Sequence, residues 1–250
     1  MTFYYPYFGN KRKEIKNIEK YVDLSKYDTI VEPFGGTCAF SRYFYNIDKT
    51  KNYVISDVDD ILIYFCNNFY KYPDVINKCI SKMETINNKN EFDTFYKTKS
   101  NQNNEEFMID HLIKNTWYNI RKGLYSSTKP KYLNLNKVIN TLNDFFKNNT
   151  YIKSDYKVML EKYKDDEKAL IFLDPPYIHE NKLYDNYTVN WEYLMNFFKS
   201  CKCKFIMVVD NHLLMRLAFI DYFKEDYNKT YETAHKKKVK HIIFSNVNII

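Results

Sequence analysis

Asp174-Pro175-Pro176-Tyr177 closes the apolar run LIFL and combines three residue types able to hold a planar ring that bears an amine. A carboxylate at a strand end accepts one amine hydrogen. The two prolines fix an extended backbone and have no amide hydrogens of their own, so the Pro175 carbonyl can accept a second. Tyr177 can stack on the ring. Acceptors on both amine hydrogens would draw the nitrogen lone pair out of conjugation and aim it at an electrophile. A Pro-Pro strand exit without chemistry would need neither the strand before it nor the aromatic after it.

A second constellation lies near the start of the chain. TIVEPF (Thr29 to Phe34) runs into Gly35-Gly36, and NYVISD, about twenty residues on, ends a β-branched run at Asp57. A Gly-rich turn at the carboxyl end of a first strand lets a ligand approach the backbone, and an acid at the end of the second can take ribose hydroxyls. FGGTC is not GxGxxG and has no phosphate-loop lysine, which disfavours a dinucleotide or a triphosphate. The pattern fits a nucleoside-type ligand or, equally, a tight turn in a structural βαβ unit. Only four glycines occur, and three fall in PYFGNK and VEPFGG, so they mark backbone with special needs.

These groups require strand ends to hold them. TIVEPF, the Gly-Gly turn and TCAFSRYFYN read as strand, turn and helix, and the Asp57 run repeats the logic, giving a βαβ unit. From about Tyr64 to Thr150 the pattern is helical and polar. Strands return at Ala169 to Tyr177, Cys203 to Asp210 and Val239 to Val247, with NHLLMRLAFIDYF helical after the second. The expected fold is α/β, with a discontinuous core (1–63 and 151–250) and a helical insertion (64–150). NNKN and NQNN are surface loops by composition.

A chain of 250 residues suits one large domain or a core with an insertion. With 45% apolar and 28% charged residues, and no apolar run of about 18, it reads as globular without a membrane span. Its aromatic-then-basic beginning reverses the order of a secretory signal. Five cysteines lack zinc-module spacing, so reduced thiols, no metal and a cytoplasmic setting are expected. The net charge of +7 suits a polyanion. His111 to Asn143 contains no acid, while Lys114, Arg121, Lys122, Lys129, Lys131 and Lys137 alternate with Trp117, Tyr118, Tyr125 and Tyr132. Basic groups neutralise phosphates and aromatics stack on bases. A second cluster, HKKKVKH (His235 to His241), reads either as a contact to a nucleic-acid backbone or as a charged loop before the last strand.

The ordered set PYFGNK, VEPFGGTCAF, ISDVDD, SDY and LIFLDPPY resembles the Dam-type family of DNA adenine-N6 methyltransferases across essentially the whole chain. The resemblance implies a Rossmann-like sheet that uses S-adenosylmethionine, with an inserted DNA-recognition region. Tyr7 and Lys11 would hold the cofactor's methionine end. Glu32, Pro33, Phe34, Gly35 and Gly36 would form its turn, Asp57 would take its ribose, and Asp155 and Tyr156 would contact its adenine. Asp174, Pro175, Pro176 and Tyr177 would hold a target adenine flipped from double-stranded DNA. NTWYNIRKGLYS resembles the family's aromatic-Asn-Gly step, with Asn119 at the asparagine and Ile120 in place of the glycine. DNA contacts are therefore expected from Lys114, Trp117, Tyr118, Asn119, Arg121, Lys122, Lys129 and Lys131.

The chain departs from the family at four places: Cys38 replaces a third glycine, Gly9-Asn10-Lys11 replaces Gly-Gly-Lys, Ile120 replaces the glycine of the aromatic-Asn-Gly step, and the DNA-reading hairpin is short. The resemblance implies a site-specific enzyme, monomeric or weakly dimeric, in the cytoplasm or, if viral, in the host's DNA-containing compartment. Cytosine-N4 or RNA adenine methylation, and a catalytically silent DNA-binding subunit, are the alternatives at this level.

Overall fold

The computed structural model describes Lys11 and residues 14–97, 104–116, 139–177, 188–230 and 238–249. Two compact units account for them, Asp59–Asn149 and Lys11–Val58 with Thr150–Ile250. Seven strands are present among the described residues: β1 (Thr29–Glu32), β2 (Asn52–Asp57), β3 (Thr150–Lys153), β4 (Ala169–Leu173), β5 (Lys204–Asp210), β6 (Phe223–Thr230) and β7 (Lys238–Ser245). Along the chain, α1 (Ile15–Ile18) and α2 (Ala39–Tyr45) belong to the strand-bearing unit. The helices α3 (Asp60–Asn68), α4 (Val75–Glu84), α5 (Lys89–Lys97), α6 (Glu105–Thr116) and α7 (Ile139–Asn148) form the other unit, and α8 (Tyr156–Tyr163), α9 (Trp191–Ser200) and α10 (Leu213–Ala218) return to the first.

All seven strands form one sheet in the order β3-β2-β1-β4-β5-β7-β6. The first five run parallel, and β7 lies antiparallel to both β5 and β6. Strands β1 and β4 are wholly buried, the signature of parallel strands covered on both faces, and this is why β4 reads as an unbroken apolar run and β1 carries Ile30 and Val31 side by side. Alternate residues serve opposite faces. Val31, Ile171, Leu173, Phe205 and Met207 share a cluster with Leu160 of α8 and with Leu194 and Phe197 of α9. On the other face Phe172 stacks on Phe40 of α2 with ring centroids 4.1 Å apart.

Two strands were not expected from the sequence. Both β3 and β6 are sheet edges, where one side needs no partner and polar residues are tolerated. The strand beginning at Thr29 ends at Glu32 rather than Phe34, so Pro33 and Phe34 belong to the turn. The one beginning at Ala169 ends at Leu173, leaving Asp174 to Tyr177 as irregular backbone. The helix expected over NHLLMRLAFIDYF closes at Ala218, and a short 3-10 turn, Ile220–Tyr222, leads into β6.

In the helical unit, Asp59 starts α3 by accepting the Ile61 and Leu62 amides. Phe65, Phe69, Phe145 and Phe146 form a buried aromatic group, and Lys82 of α4 pairs with Asp110 of α6 at 2.6 Å. Among the described residues this unit contains no strand.

Candidate active site

The turn after β1 is built by close approach. The Gly35 amide donates to the Ser56 carbonyl at 2.8 Å. A Cβ at Gly35 would lie 2.5 Å from Ile55 Cγ2 and 3.0 Å from that carbonyl oxygen, so only glycine fits. Gly36 has φ 46°, and its amide donates to Asp57 Oδ2 at 3.0 Å. The acid ending β2 is thus aligned by the turn ending β1. Cys38 also lies in the left-handed region, at φ 55°, where a residue with a Cβ is disfavoured by roughly 1–2 kcal/mol. Its amide is tied to the Gly35 carbonyl at 2.6 Å and its side chain is buried, which holds the conformation in place. This is the position at which the resemblance expects a third glycine, and the backbone explains that expectation.

Glu32, expected in the cofactor turn, is buried and spends its Oε2 on the start of α2. It accepts from the Ser41 amide at 3.0 Å and from the Ser41 hydroxyl at 2.6 Å. Burial raises its pKa to about 7, with Ser41 opposing and Asp174 adding to the rise. Asp155 caps α8 by accepting the Lys157 amide at 2.8 Å. Tyr156 is buried: its ring stacks on Phe34 at 4.9 Å, and its hydroxyl accepts the Asn190 amide at 3.1 Å. Phe34 of the turn is therefore backed by the first residue of α8.

The third strand end brings Asp174, Lys11 and Tyr177 together. Asp174 Oδ1 lies 2.5 Å from the Lys11 ammonium, with side-chain exposures of 19% and 3%. Lys11 also donates to the Tyr177 hydroxyl at 2.7 Å, and its nitrogen sits 5.1 Å from that ring's centroid. Among the described residues Asp174 Oδ2 has no hydrogen-bond partner. Burial pushes the Asp174 carboxyl above the usual carboxylate range, and the Lys11 ammonium opposes that. Pro175 is buried and Pro176 partly so. Tyr177 is itself buried, its ring set edge-on to His241 at 5.3 Å.

Three residues of this neighbourhood went unseen in the sequence, Glu14, Tyr227 and Lys229, and a fourth, His241, was read only as the end of a basic cluster. Glu14 is buried, and it accepts from His241 Nδ1 at 2.7 Å, from the Tyr227 hydroxyl and from the Lys229 ammonium. Burial would raise its carboxyl, but His241, Lys11 and Lys229 together bring it down to about 2. His241, which closes the basic cluster and falls in the strand expected from Val239, is fully buried within β7 rather than available to a nucleic-acid backbone. There it pairs in register with Tyr227. Two signals were available: the two-residue spacing of Tyr227 and Lys229, and a histidine entering the apolar run IIF. Of the expected DNA contacts, Lys114 lies on α6 with its ammonium 5.2 Å from the Phe95 ring centroid, and burial lowers its pKa. Tyr7, Trp117, Tyr118, Asn119, Arg121, Lys122, Lys129 and Lys131 lie outside the described residues, as does Lys137. Among the described residues no group of three or more His, Cys, Asp or Glu could hold a metal, and no helix is long and apolar enough to cross a membrane.

The five parallel strands take the 3-2-1-4-5 order of a Rossmann-like, doubly wound sheet, and such sheets bind ligands at the carboxyl edge where these strand ends converge. Residues 7–242 match the model of the D12 class N6 adenine-specific DNA methyltransferases, and the chain belongs to that family. It is an enzyme that methylates adenine in DNA. Its relatives include the Type II methyltransferase M.CviBI of Paramecium bursaria Chlorella virus NC1A, 26% identical over 246 residues that cover 89% of this chain and 88% of that protein. A solved structure, described as that of an antibiotic related methyltransferase, matches over 95% of this chain and 94% of its own, with a TM-score of 0.36 and 10% identity.

Proposed function

We propose that the methyl donor is S-adenosylmethionine, held by the Pro33–Gly36 turn and Asp57, and that Asp174 holds the N6 amine of an adenine turned out of double-stranded DNA. The donor set fits that group: a turn without side chains at Gly35 and Gly36 lies beside a carboxylate already aligned by an amide, with no lysine in the turn to favour a phosphate chain. When bound, S-adenosylmethionine supplies an electrophilic methyl on a sulfonium. Phe34 offers an aromatic face supported by Tyr156, and Asp155 acts at one remove by starting α8. Lys11, expected at the methionine end of the cofactor, is assigned here to the clamp.

Asp174 carries the reading. Its Oδ1 is engaged by Lys11 and its Oδ2 faces no donor among the described residues, so it can accept a hydrogen from the target amine while Lys11 keeps it oriented. Pro175 can offer its carbonyl to the second hydrogen, and Pro176 holds the backbone extended. Asp174 and Pro175 would thereby hold the amine with its lone pair out of conjugation and toward the donor, whose C–S bond would break as the N–C bond forms, releasing S-adenosylhomocysteine and one N6 proton to solvent. Positioning supplies most of the rate, and no strong general base is required. The acid-free stretch between His111 and Asn143 would read the DNA, with the protein acting as a monomer or weak dimer in the cytoplasm or in a host's DNA-containing compartment.

Plasmid DNA incubated with methyl-labelled S-adenosylmethionine, digested and resolved as nucleosides, tests the reading. Label in N6-methyladenine, mapped to a fixed sequence, is expected; label only in N4-methylcytosine overturns it. Asp174→Ala is expected to abolish transfer while calorimetry still detects cofactor binding, and near-normal turnover by that variant would sink the clamp.

A further inference from the structure

Glu14 is a buried carboxylate that the proposed reaction does not use. It gathers partners from three separate segments of the same unit. Its own amide donates to the Lys11 carbonyl at 2.8 Å, which closes the turn that carries Lys11. One carboxylate oxygen takes Lys229 of β6; the other takes Tyr227 of β6 and His241 of β7. His241, with no exposed surface, touches Glu14 through Nδ1 and meets the Tyr177 ring edge-on at 5.3 Å. Tyr177 in turn accepts from Lys11, and Lys11 pairs with Asp174. An unbroken path of contacts therefore runs from Glu14 through His241 and Tyr177 to Lys11 and Asp174.

We propose that Glu14 and His241 are positioning residues for methyl transfer: Glu14 orients the His241 ring and the Lys11 turn, and these set the Tyr177 ring and the Lys11 ammonium against Asp174. The proposal rests on the reading of Asp174 as the amine clamp. An ionised carboxylate only accepts hydrogen bonds, so Nδ1 of His241 carries the hydrogen and the orientation of the imidazole is specified by Glu14. Buried ion pairs stabilise a fold little better than apolar residues of the same volume. A buried carboxylate, Glu14, and the Lys229 ammonium, placed with His241 directly behind the Lys11–Asp174 clamp, are better accounted for by the geometry they impose. An error of about 1 Å in a reacting group's position can cost roughly 100-fold in rate.

The test is steady-state and single-turnover methylation of plasmid DNA by the full-length protein carrying Glu14→Gln, His241→Gln, Lys11→Met, Asp174→Ala or the Glu14→Gln/Lys11→Met pair. Glu14→Gln is expected to lower kcat by about 10- to 100-fold while the DNA KM and the cofactor Kd stay near wild type. Added to Lys11→Met, it is expected to cause little further loss, because both act through the same contacts. A lower Tm with kcat unchanged, or a full multiplicative loss in the pair, overturns the proposal and leaves Glu14 a purely structural residue. Should Glu14→Gln not fold, His241→Gln decides. Its amide can still donate to Glu14 but cannot replace the ring against Tyr177, so reduced kcat supports the proposal and wild-type kcat overturns it. An active Asp174→Ala would instead overturn the clamp reading itself.

Discussion

Two buried glutamates of the same unit, Glu14 and Glu32, have opposite chemistry. Glu14 meets Lys229, His241 and the nearby Lys11 and is pulled down to about 2, whereas Glu32 meets only the neutral Ser41 donors closely and rises to about 7. Desolvation acts on both, and the charge of the partners decides the sign. A carboxyl whose folded pKa exceeds its unfolded one binds its proton more tightly when folded. Glu32 therefore costs no stability below its ordinary value of 4.5, and its penalty grows as pH rises toward 7. The full penalty above that window is on the order of 3 kcal/mol. Replacing Glu32 with Gln keeps an acceptor for Ser41 and removes the charge, so the variant should gain on wild type between pH 5 and pH 8 in urea unfolding. An identical stability difference at both pH values would show that Glu32 does not titrate there.

At the scale of elements, the decisive contact is the β1 turn against β2. Gly35→Ala places a methyl 2.5 Å from Ile55 Cγ2 and 3.0 Å from the Ser56 carbonyl oxygen, and backbone cannot yield as a flexible side chain would. A loss of about 1–3 kcal/mol in stability is expected from such overpacking, together with weaker cofactor binding as the Gly36 amide moves off Asp57. Chemical denaturation and calorimetry on the purified variant measure both, and unchanged values for both would mean that the turn relaxes at no cost. Legibility also divides by element. Strands β1, β2, β4, β5 and β7 could be read because burial on both faces demands apolar runs. Strand β3 has one buried residue of four, and β6 reads FKEDYNKT. Neither carries a hydrophobic pattern, because each pairs along one side only and borrows its place from a neighbour.

For the whole molecule, a net charge of +7 and a DNA substrate make association electrostatic. The basic residues of the acid-free stretch should then govern DNA affinity without touching the cofactor. Replacing Arg121 and Lys122 together with Ala is expected to weaken DNA binding and to flatten the plot of log affinity against log salt by about 2, with S-adenosylmethionine affinity unchanged. A salt slope equal to wild type would remove both residues from the phosphate contacts. Lys114 stands apart from that set, its ammonium lying over Phe95 within its own unit.

The sequence by itself determined the parts governed by local chemistry. A Gly-Gly turn after an apolar strand, an acid ending the next strand and Asp-Pro-Pro-Tyr after a third are stretches whose backbone demands are met within a few residues. Only the tertiary structure decided which charges meet. Lys11 reaches Tyr177 across 166 positions and Glu14 reaches His241 across 227, and nothing in their neighbours marks them as partners. Burial forces each charge to find its complement, but which complement is near depends on how the sheet orders its strands. With β7 inserted between β5 and β6, a histidine that ends a basic run becomes a buried contact behind the clamp.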